Sequence, residues 1–335
     1  MRPAGLPPVA AGPLRYGKTA ICLVEVDRRT AGERARQLTA RVSLTGGIDE
    51  AYLDGDNARM VTTDALADIV QERFGQLPGA APETMALEAV AALADRYPYL
   101  PDVAVSLEVR PLEALGGAGH AHAATTSELA AVTARRRGGT VRCRARLRGV
   151  SLLRTSGNRF DGFVVDAYTT TRPAADRAIG GDLEAWWEAS PGDRQVDWVA
   201  LRAGVRRALL AAFATDDSAS VQHLALLMAR RALAEVPALG VVDVTLATDR
   251  LSPRPPPVQP PVRGPVRGPV RGPVQGEAGA GGPAAQLLGL ATAPRGTVRA
   301  RLRRQAPDPA ADPAADPAAD PAAPADGPPG ARSPR

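Results

Sequence analysis

The chain is poor in the residues that build metal sites and disulfide scaffolds, with two cysteines and three histidines among 335 residues. Cys22 and Cys143 lie in apolar surroundings of period 2, which predicts core strands and not a stapled scaffold, so a reducing compartment such as the cytoplasm is expected. No apolar stretch is long enough to span a bilayer. Residues 1–13 carry one arginine and several prolines but no apolar run of signal-peptide length. The final Arg332-Ser333-Pro334-Arg335 is not a Ser-Lys-Leu peroxisomal address. A soluble, unsecreted protein with no membrane partner is expected.

What is present is a breaker-rich chain with 44% hydrophobic residues, enough to give two modest domains a core each. Its 33 glycines and 32 prolines concentrate near the N-terminus and after Leu251, so the folded part is shorter than the chain. A net charge of +5 suits an anionic partner: nucleic acid, a membrane surface or a small acidic metabolite. Arg142, Arg144, Arg146 and Arg148 alternate with Val141, Cys143, Ala145 and Leu147 and so line one face of a strand. There is little aromatic interleaving, so a solvated or tunnel-lining face is expected and nucleic acid is not.

Periodicity orders the rest. Residues 19–27 and 38–44 read as strands, and Leu66, Ile69, Val70 and Phe74 share one helical face after a cap at Thr62 or Thr63. A second helix fits 83–96, a third strand 103–109 and a weaker fourth 122–134. The order then returns, with strands at 140–153 and 160–170, helices at 198–213 and 221–234, and strands at 241–246 and 287–302. This β-β-α-α-β-β order, met twice, predicts two similar sheet-plus-helix units. The chain thus divides into a flexible N-terminus (1–13), a first unit (14–136), a second unit (137–305) interrupted by a Pro/Gly/Arg-rich loop at 252–285, and a disordered Pro/Ala/Asp tail (306–335).

Polar signals punctuate these elements. Tyr16-Gly17-Lys18 opens the first strand, and Asp54-Gly55-Asp56-Asn57 precedes Thr62-Thr63-Asp64 at a helix start. Phe160-Asp161-Gly162-Phe163, Asp166-Ala167-Tyr168-Thr169-Thr170 and Asp176-Arg177 follow in one long connection, and Ser220-Val221-Gln222-His223 opens a later helix. Singly, each has a plain structural reading: an exposed strand-start lysine, a capped helix, a polar turn. Their order and spacing together resemble the urate oxidase (uricase) family, over about residues 14–228, and Ala291-Thr292-Ala293-Pro294-Arg295-Gly296 resembles the family's last strand.

The resemblance implies an α+β tunnelling fold, in which antiparallel sheets of several subunits join into a barrel with helices outside, and a homotetramer with shared sites. It implies oxidation of urate by O₂ to 5-hydroxyisourate and H₂O₂ in purine degradation, with no cofactor and no metal. Urate is a flat, hydrogen-bond-rich anion, so its site needs a planar cation, an amide and an aromatic platform. By similarity Arg177 clamps one edge of the purine, Gln222 and the Val221 N–H hold the other, and Phe160 stacks on the ring. Lys18 and Thr63 match the family's catalytic proton relay, the threonine coming from a neighbouring subunit, and the resemblance also makes Thr63 and Asp64 substrate-binding residues. A lysine serves there because an ammonium can surrender a proton. His120 and His122 have no cysteine neighbour and resemble a family His-x-His loop, so a structural or substrate-side role is expected there, and not a metal.

One departure stands out. Where the family has Pro-Asn-Lys-His, whose asparagine helps hold O₂ or water and whose histidine extends the relay, this chain reads Leu246-Ala247-Thr248-Asp249-Arg250-Leu251-Ser252. The rival readings are a non-catalytic purine-binding or assembly homologue and a pterin enzyme of the same fold. Beyond Arg304 the Pro-Ala-Ala-Asp pattern offers no core-forming bulk. Truncation after Arg304 is therefore expected to leave the thermal midpoint and the sedimentation coefficient per protomer set unchanged. A loss of oligomer on truncation would assign the tail an assembly role.

Overall fold

Alternating apolar residues become strands wherever they can bury one face under a helix, and the same rule operates twice in this chain. The computed structural model describes residues 12–29, 34–115, 121–124, 126–189, 196–249, 251–253, 288–290 and 296–304. The expected N-terminal segment up to residue 11, the loop from 254, His120, Arg250, the 291–295 part of the last motif and the tail beyond 304 lie outside these residues.

In the first half, β1 (Arg15–Asp27) and β2 (Arg34–Thr45) are followed by a short α1 (Asp49–Leu53), then α2 (Thr63–Gly75), α3 (Pro82–Arg96), β3 (Asp102–Ala114), the two-residue β4 (His122–Ala123) and β5 (Leu129–Arg137). The second half repeats the order with β6 (Thr140–Arg154), β7 (Ile179–Ala189), α4 (Trp198–Thr215), α5 (Val221–Glu235), β8 (Leu239–Asp249), the small strands β9 (Leu251–Pro253) and β10 (Leu288–Leu290), and β11 (Gly296–Arg303). The principal strands form one antiparallel sheet in the order β1-β2-β3-β5-β6-β7-β8-β11, while β9 and β10 pair separately. The expected α+β architecture of two β-β-α-α-β-β units is therefore present, its halves fused edge to edge.

A two-residue hairpin makes the fusion. Arg137 pairs with Thr140 across Gly138 and Gly139, whose φ angles of 54° and 83° only glycine adopts without strain. The helices cover one face of the sheet. Beneath α2 and α3 lie Leu38, Val42, Val105 and Leu107, and beneath α4 and α5 lie Leu183, Trp187, Val244 and Leu246, all at most 4% exposed. Cys143 points to this covered side, and burial pushes its thiol up to about 12, so it stays protonated at neutral pH.

The sequence placed one strand wrongly. Residues 160–170 are not a strand: Gly162 takes a φ of 67°, and the Asp166 carboxylate accepts from Tyr168 N–H and Thr169 Oγ1 at 2.9 Å each, a local closure that competes with ladder pairing. The strand is β7, where Leu183, Ala185 and Trp187 face the helices and Asp182, Glu184, Trp186 and Glu188 face away. The expected strands at 122–134 and 287–302 are each split in two.

A charged pair sits in the covered layer where the halves meet. Glu83 of α3 is fully buried and accepts from Arg202 Nη2 of α4 at 2.5 Å, while Arg202 Nη1 donates to the Arg146 carbonyl at 3.3 Å. Arg206, one turn on, forks onto Glu128 with two bonds of 2.8 Å. Removing one partner of a buried pair strands the other charge, at a cost of about 3–5 kcal/mol. We expect Glu83→Ala to lower the thermal midpoint by roughly 10 °C, and Glu83→Leu with Arg202→Met to recover most of the loss, as read by calorimetry. An unchanged midpoint in Glu83→Ala would show that the pair holds nothing.

Candidate functional site

The sequence-predicted residues gather in two places. The first is the start of β1 against the start of α2. Gly17 is required because a Cβ there would collide with the Val42 carbonyl oxygen, and this close approach brings Lys18 onto the sheet rim opposite Val42. The register then slips between Lys18 and Ile21, with Ala20 at a φ of 57°, an uncommon conformation for a residue with a side chain. Lys18 Nζ lies 3.5 Å from Asp64 Oδ1. Asp64 is 87% exposed, so the pair orients the ammonium more than it stabilises the fold.

The choice between Thr62 and Thr63 as cap is resolved in favour of Thr62, whose Oγ1 accepts from the Ala65 N–H at 3.2 Å. Thr63 is the first helical residue, and among the described residues its hydroxyl is not drawn into capping. The preceding polar run is a turn, with Asp56 Oδ1 accepting from the Ala58 N–H at 2.9 Å. Lys18 and Thr63–Asp64 thus sit together on one chain, so Lys18 needs no neighbouring subunit to meet the helix that bears Thr63.

The second place is the long connection between β6 and β7, against the start of α5. The Arg177 guanidinium carbon lies 4.6 Å above the centre of the Phe160 ring, and the Phe163 ring stacks on Phe160 at 4.8 Å. Burial lowers the proton affinity of the Arg177 guanidinium below its ordinary value, and its Nε is buried with no hydrogen-bond partner among the described residues. At the head of α5, Ser220 Oγ accepts from the His223 N–H at 3.1 Å. The cap leaves the N–H groups of Val221 and Gln222 with no intrahelical acceptor, a donor pair of the kind that holds anions and carbonyl oxygens. Gln222 is exposed and Val221 is buried.

No hydrogen bond or ion pair among the described residues joins the two places. The 160–171 connection exposes Val164, Val165 and Tyr168 at 85%, 74% and 91%. Exposed apolar tips beside polar pocket groups are a common sign of a surface that another chain covers.

Around the missing motif, Thr248 is committed: its hydroxyl donates to the Gly296 carbonyl at 3.1 Å, within the ladder that pairs β8 with β11. The arginine strand is largely neutralised. Arg144 pairs with Glu188 at 3.1 Å and lies 4.0 Å above Trp186, Arg146 pairs with Glu184, and Arg148 pairs with Glu108 at 2.6 Å. Together with Thr39, Ser106, Thr133 and Arg299 this helix-free face encloses a hollow of about 730 Å³. His122 lies on β4, paired with Ala114, and no cluster of metal-binding side chains occurs among the described residues.

One signal in the sequence went unread. Lys18 is the only lysine in the chain, every other member of its 41 basic residues being arginine. Arginine keeps the positive charge but does not release a proton in proteins, so Lys18 is the one basic side chain of the lysine or arginine type here that can.

A family profile described as Uricase matches residues 143–256. The chain is 27% identical over 238 residues to the uricase of Arthrobacter globiformis, covering 71% of this chain and 78% of that one. It is 26% identical over 246 residues to the uricase of Aspergillus flavus, covering 69% and 82%. The crystal structure of the Arthrobacter globiformis uricase superposes with a TM-score of 0.74 at 23% identity, over 91% of this chain and 99% of that one.

Proposed function

We propose, on the premise that this chain belongs to the uricase family, that it binds urate and oxidises it with O₂ and water to 5-hydroxyisourate and H₂O₂, at a turnover well below that of its relatives. The observation that carries the reading is the lone lysine, held beside Asp64 and the first residue of α2 in a chain that otherwise uses arginine. An ammonium placed there can pass a proton through the Thr63 hydroxyl, and no arginine can replace it. The reaction as written balances without a cofactor: urate loses two electrons and O₂ gains them.

Binding falls to the second group of residues. Arg177 meets the anionic edge of the purine with a planar fork, the Val221 N–H and the Gln222 amide meet the opposite edge, and Phe160 supplies the platform once Phe163 gives way. The two groups lie in different halves of the chain, so a complete site calls for two protomers. A homotetramer in which the Lys18–Thr63 group of one chain closes over the Arg177 group of another satisfies this, and would cover Val164, Val165 and Tyr168. No helix of the described residues is long and apolar enough to cross a membrane. We assign the reaction to a reducing compartment, the cytoplasm, on the free thiols of Cys22 and Cys143.

The slow turnover follows from Thr248. With its proton given to Gly296, it does not reproduce an asparagine that both donates and accepts above the purine. Losing one preorganised polar group at a reacting centre costs about a hundredfold or more in rate. The same observation favours the second reading, a purine-binding homologue with no oxidase chemistry.

We expect urate to bind and its steady-state oxidation, followed with O₂ uptake, to run about a hundredfold or more below the Arthrobacter globiformis enzyme measured alongside. Turnover at the level of that enzyme would sink the assignment to Thr248, and binding with no O₂ uptake would establish the second reading. Lys18→Met and Lys18→Arg should lower the residual turnover equally, with assembly unchanged in sedimentation. An active Lys18→Arg would mean that charge and not proton transfer is required. Arg177→Ala should chiefly weaken urate binding, as seen by titration calorimetry.

A further inference from the structure

Beneath the exposed connection that carries Phe160 and Arg177 lies a polar knot that the apolar core does not require. Asn158 is fully buried and Ser218 is 1% exposed. Their backbones form an isolated parallel bridge, and the Ser218 hydroxyl donates to Asn158 Oδ1 at 3.0 Å. The Arg177 N–H donates to the Asn158 carbonyl at 3.0 Å, and the Arg159 N–H donates to the Ser218 carbonyl at 3.1 Å. One step outward, Phe160 and Ala174 exchange both of their N–H···O bonds, at 2.8 and 2.9 Å.

Asn158 is therefore where three pieces of chain meet: the outgoing arm of the connection, its returning arm, and the approach to α5. Each leads at once to a group of the proposed purine site. Phe160 lies two residues on, Arg177 is bonded to Asn158 through its own N–H, and Val221 and Gln222 open the helix just after Ser218.

Stability alone is a poor reason for an amide here. Asn158 Nδ2 is buried with no hydrogen-bond partner among the described residues, a desolvation cost that an apolar side chain would avoid. We infer that Asn158 is a positioning residue of the substrate site: by tying both arms of the connection to the start of α5, it sets the Arg177 guanidinium over Phe160 at the right place relative to Val221 and Gln222. The inference rests on the purine-binding reading proposed above. Asn158 acts through Arg177 and not on the substrate. Misplacement of a binding group by about 1 Å can cost on the order of 10²-fold, so a modest slackening of the knot is enough to be seen.

The test uses the full-length protein and urate as probe. Wild type, Asn158→Ala, Ser218→Ala and the double variant are titrated by calorimetry, which reports affinity and the number of sites separately. We expect each single variant to weaken urate binding about tenfold with the site number unchanged, and the double variant to be no weaker than either, because one shared bond is lost once. Weakening that multiplies in the double variant, or affinity that stays constant while site number falls, overturns the inference, the latter because it marks a merely structural role. Hydrogen exchange of the 158–178 segment in urate-free protein separates the knot from the function. Faster exchange in both single variants is expected, and unchanged exchange overturns the knot itself. A wild type that does not bind urate overturns the functional reading instead.

Discussion

The buried contact between Glu83 and Arg202 is the constraint on which the arrangement of the halves depends. Each half has its own apolar core, and the β5–β6 ladder joins their sheets edge to edge, but a sheet alone would leave the two helix layers free to shift against each other. The carboxylate of α3 and the guanidinium of α4 prevent this, because the cost of exposing neither and pairing both is met in only one relative placement of the helices. Arg202 also reaches the Arg146 carbonyl and lies 5.3 Å from the Trp187 ring centre, so the fixed helix layer is carried through to β6 and β7. The β5–β6 ladder makes the sheet continuous, and the two groups of site residues lie in its different halves.

That separation gives the chemistry its character. In the proposed function the β1–α2 group serves as the proton relay, on a rim where Lys18 and Asp64 remain in contact with solvent. In the same proposal the Arg177 group serves as the fixed donors, in a setting where burial lowers the proton affinity of the guanidinium. A purine anion entering such a place recovers for Arg177 the partner its Nε lacks, which is a specific reason for an acceptor-rich ligand to be preferred over an apolar one. The helix-free face behaves differently. Arg144, Arg146, Arg148 and Arg299 on this face are paired with Glu188, Glu184, Glu108 and Asp243, which offsets much of the positive charge there.

Much of this was legible in the residues. Strands such as β2 and β3 were read correctly because alternate side chains must face a helix layer on one side and water on the other, and α2 and α5 because their caps and apolar stripes agree. The misplaced strand at 160–170 failed for a physical reason: Phe160, Phe163, Val164 and Val165 are apolar, but local side-chain bonds from Asp166 and a left-handed Gly162 hold them outside any ladder. β7 was overlooked because Gly180 and Gly181 blur its start, although a Cβ at Gly181 would strike the Ala247 carbonyl and the glycine is a requirement of close packing. Of the site, the residue types were visible and their grouping was not. Nothing in the spacing of Lys18 and Asp64 says that they meet, and the role of Asn158 is set by a serine sixty positions away.

The small hairpin at the end of β8 has a consequence for how this chain can change over time. Leu251 pairs with Leu290, and Pro253 with Leu288, so the stem closes before the intervening segment begins. Pro253 and Leu288 are held close together whatever number of residues separates them, and doubling the chain length between two such anchors costs only about 0.6 kcal/mol. Expansion or contraction by whole Pro-Val-Arg-Gly units is then nearly invisible to selection for stability.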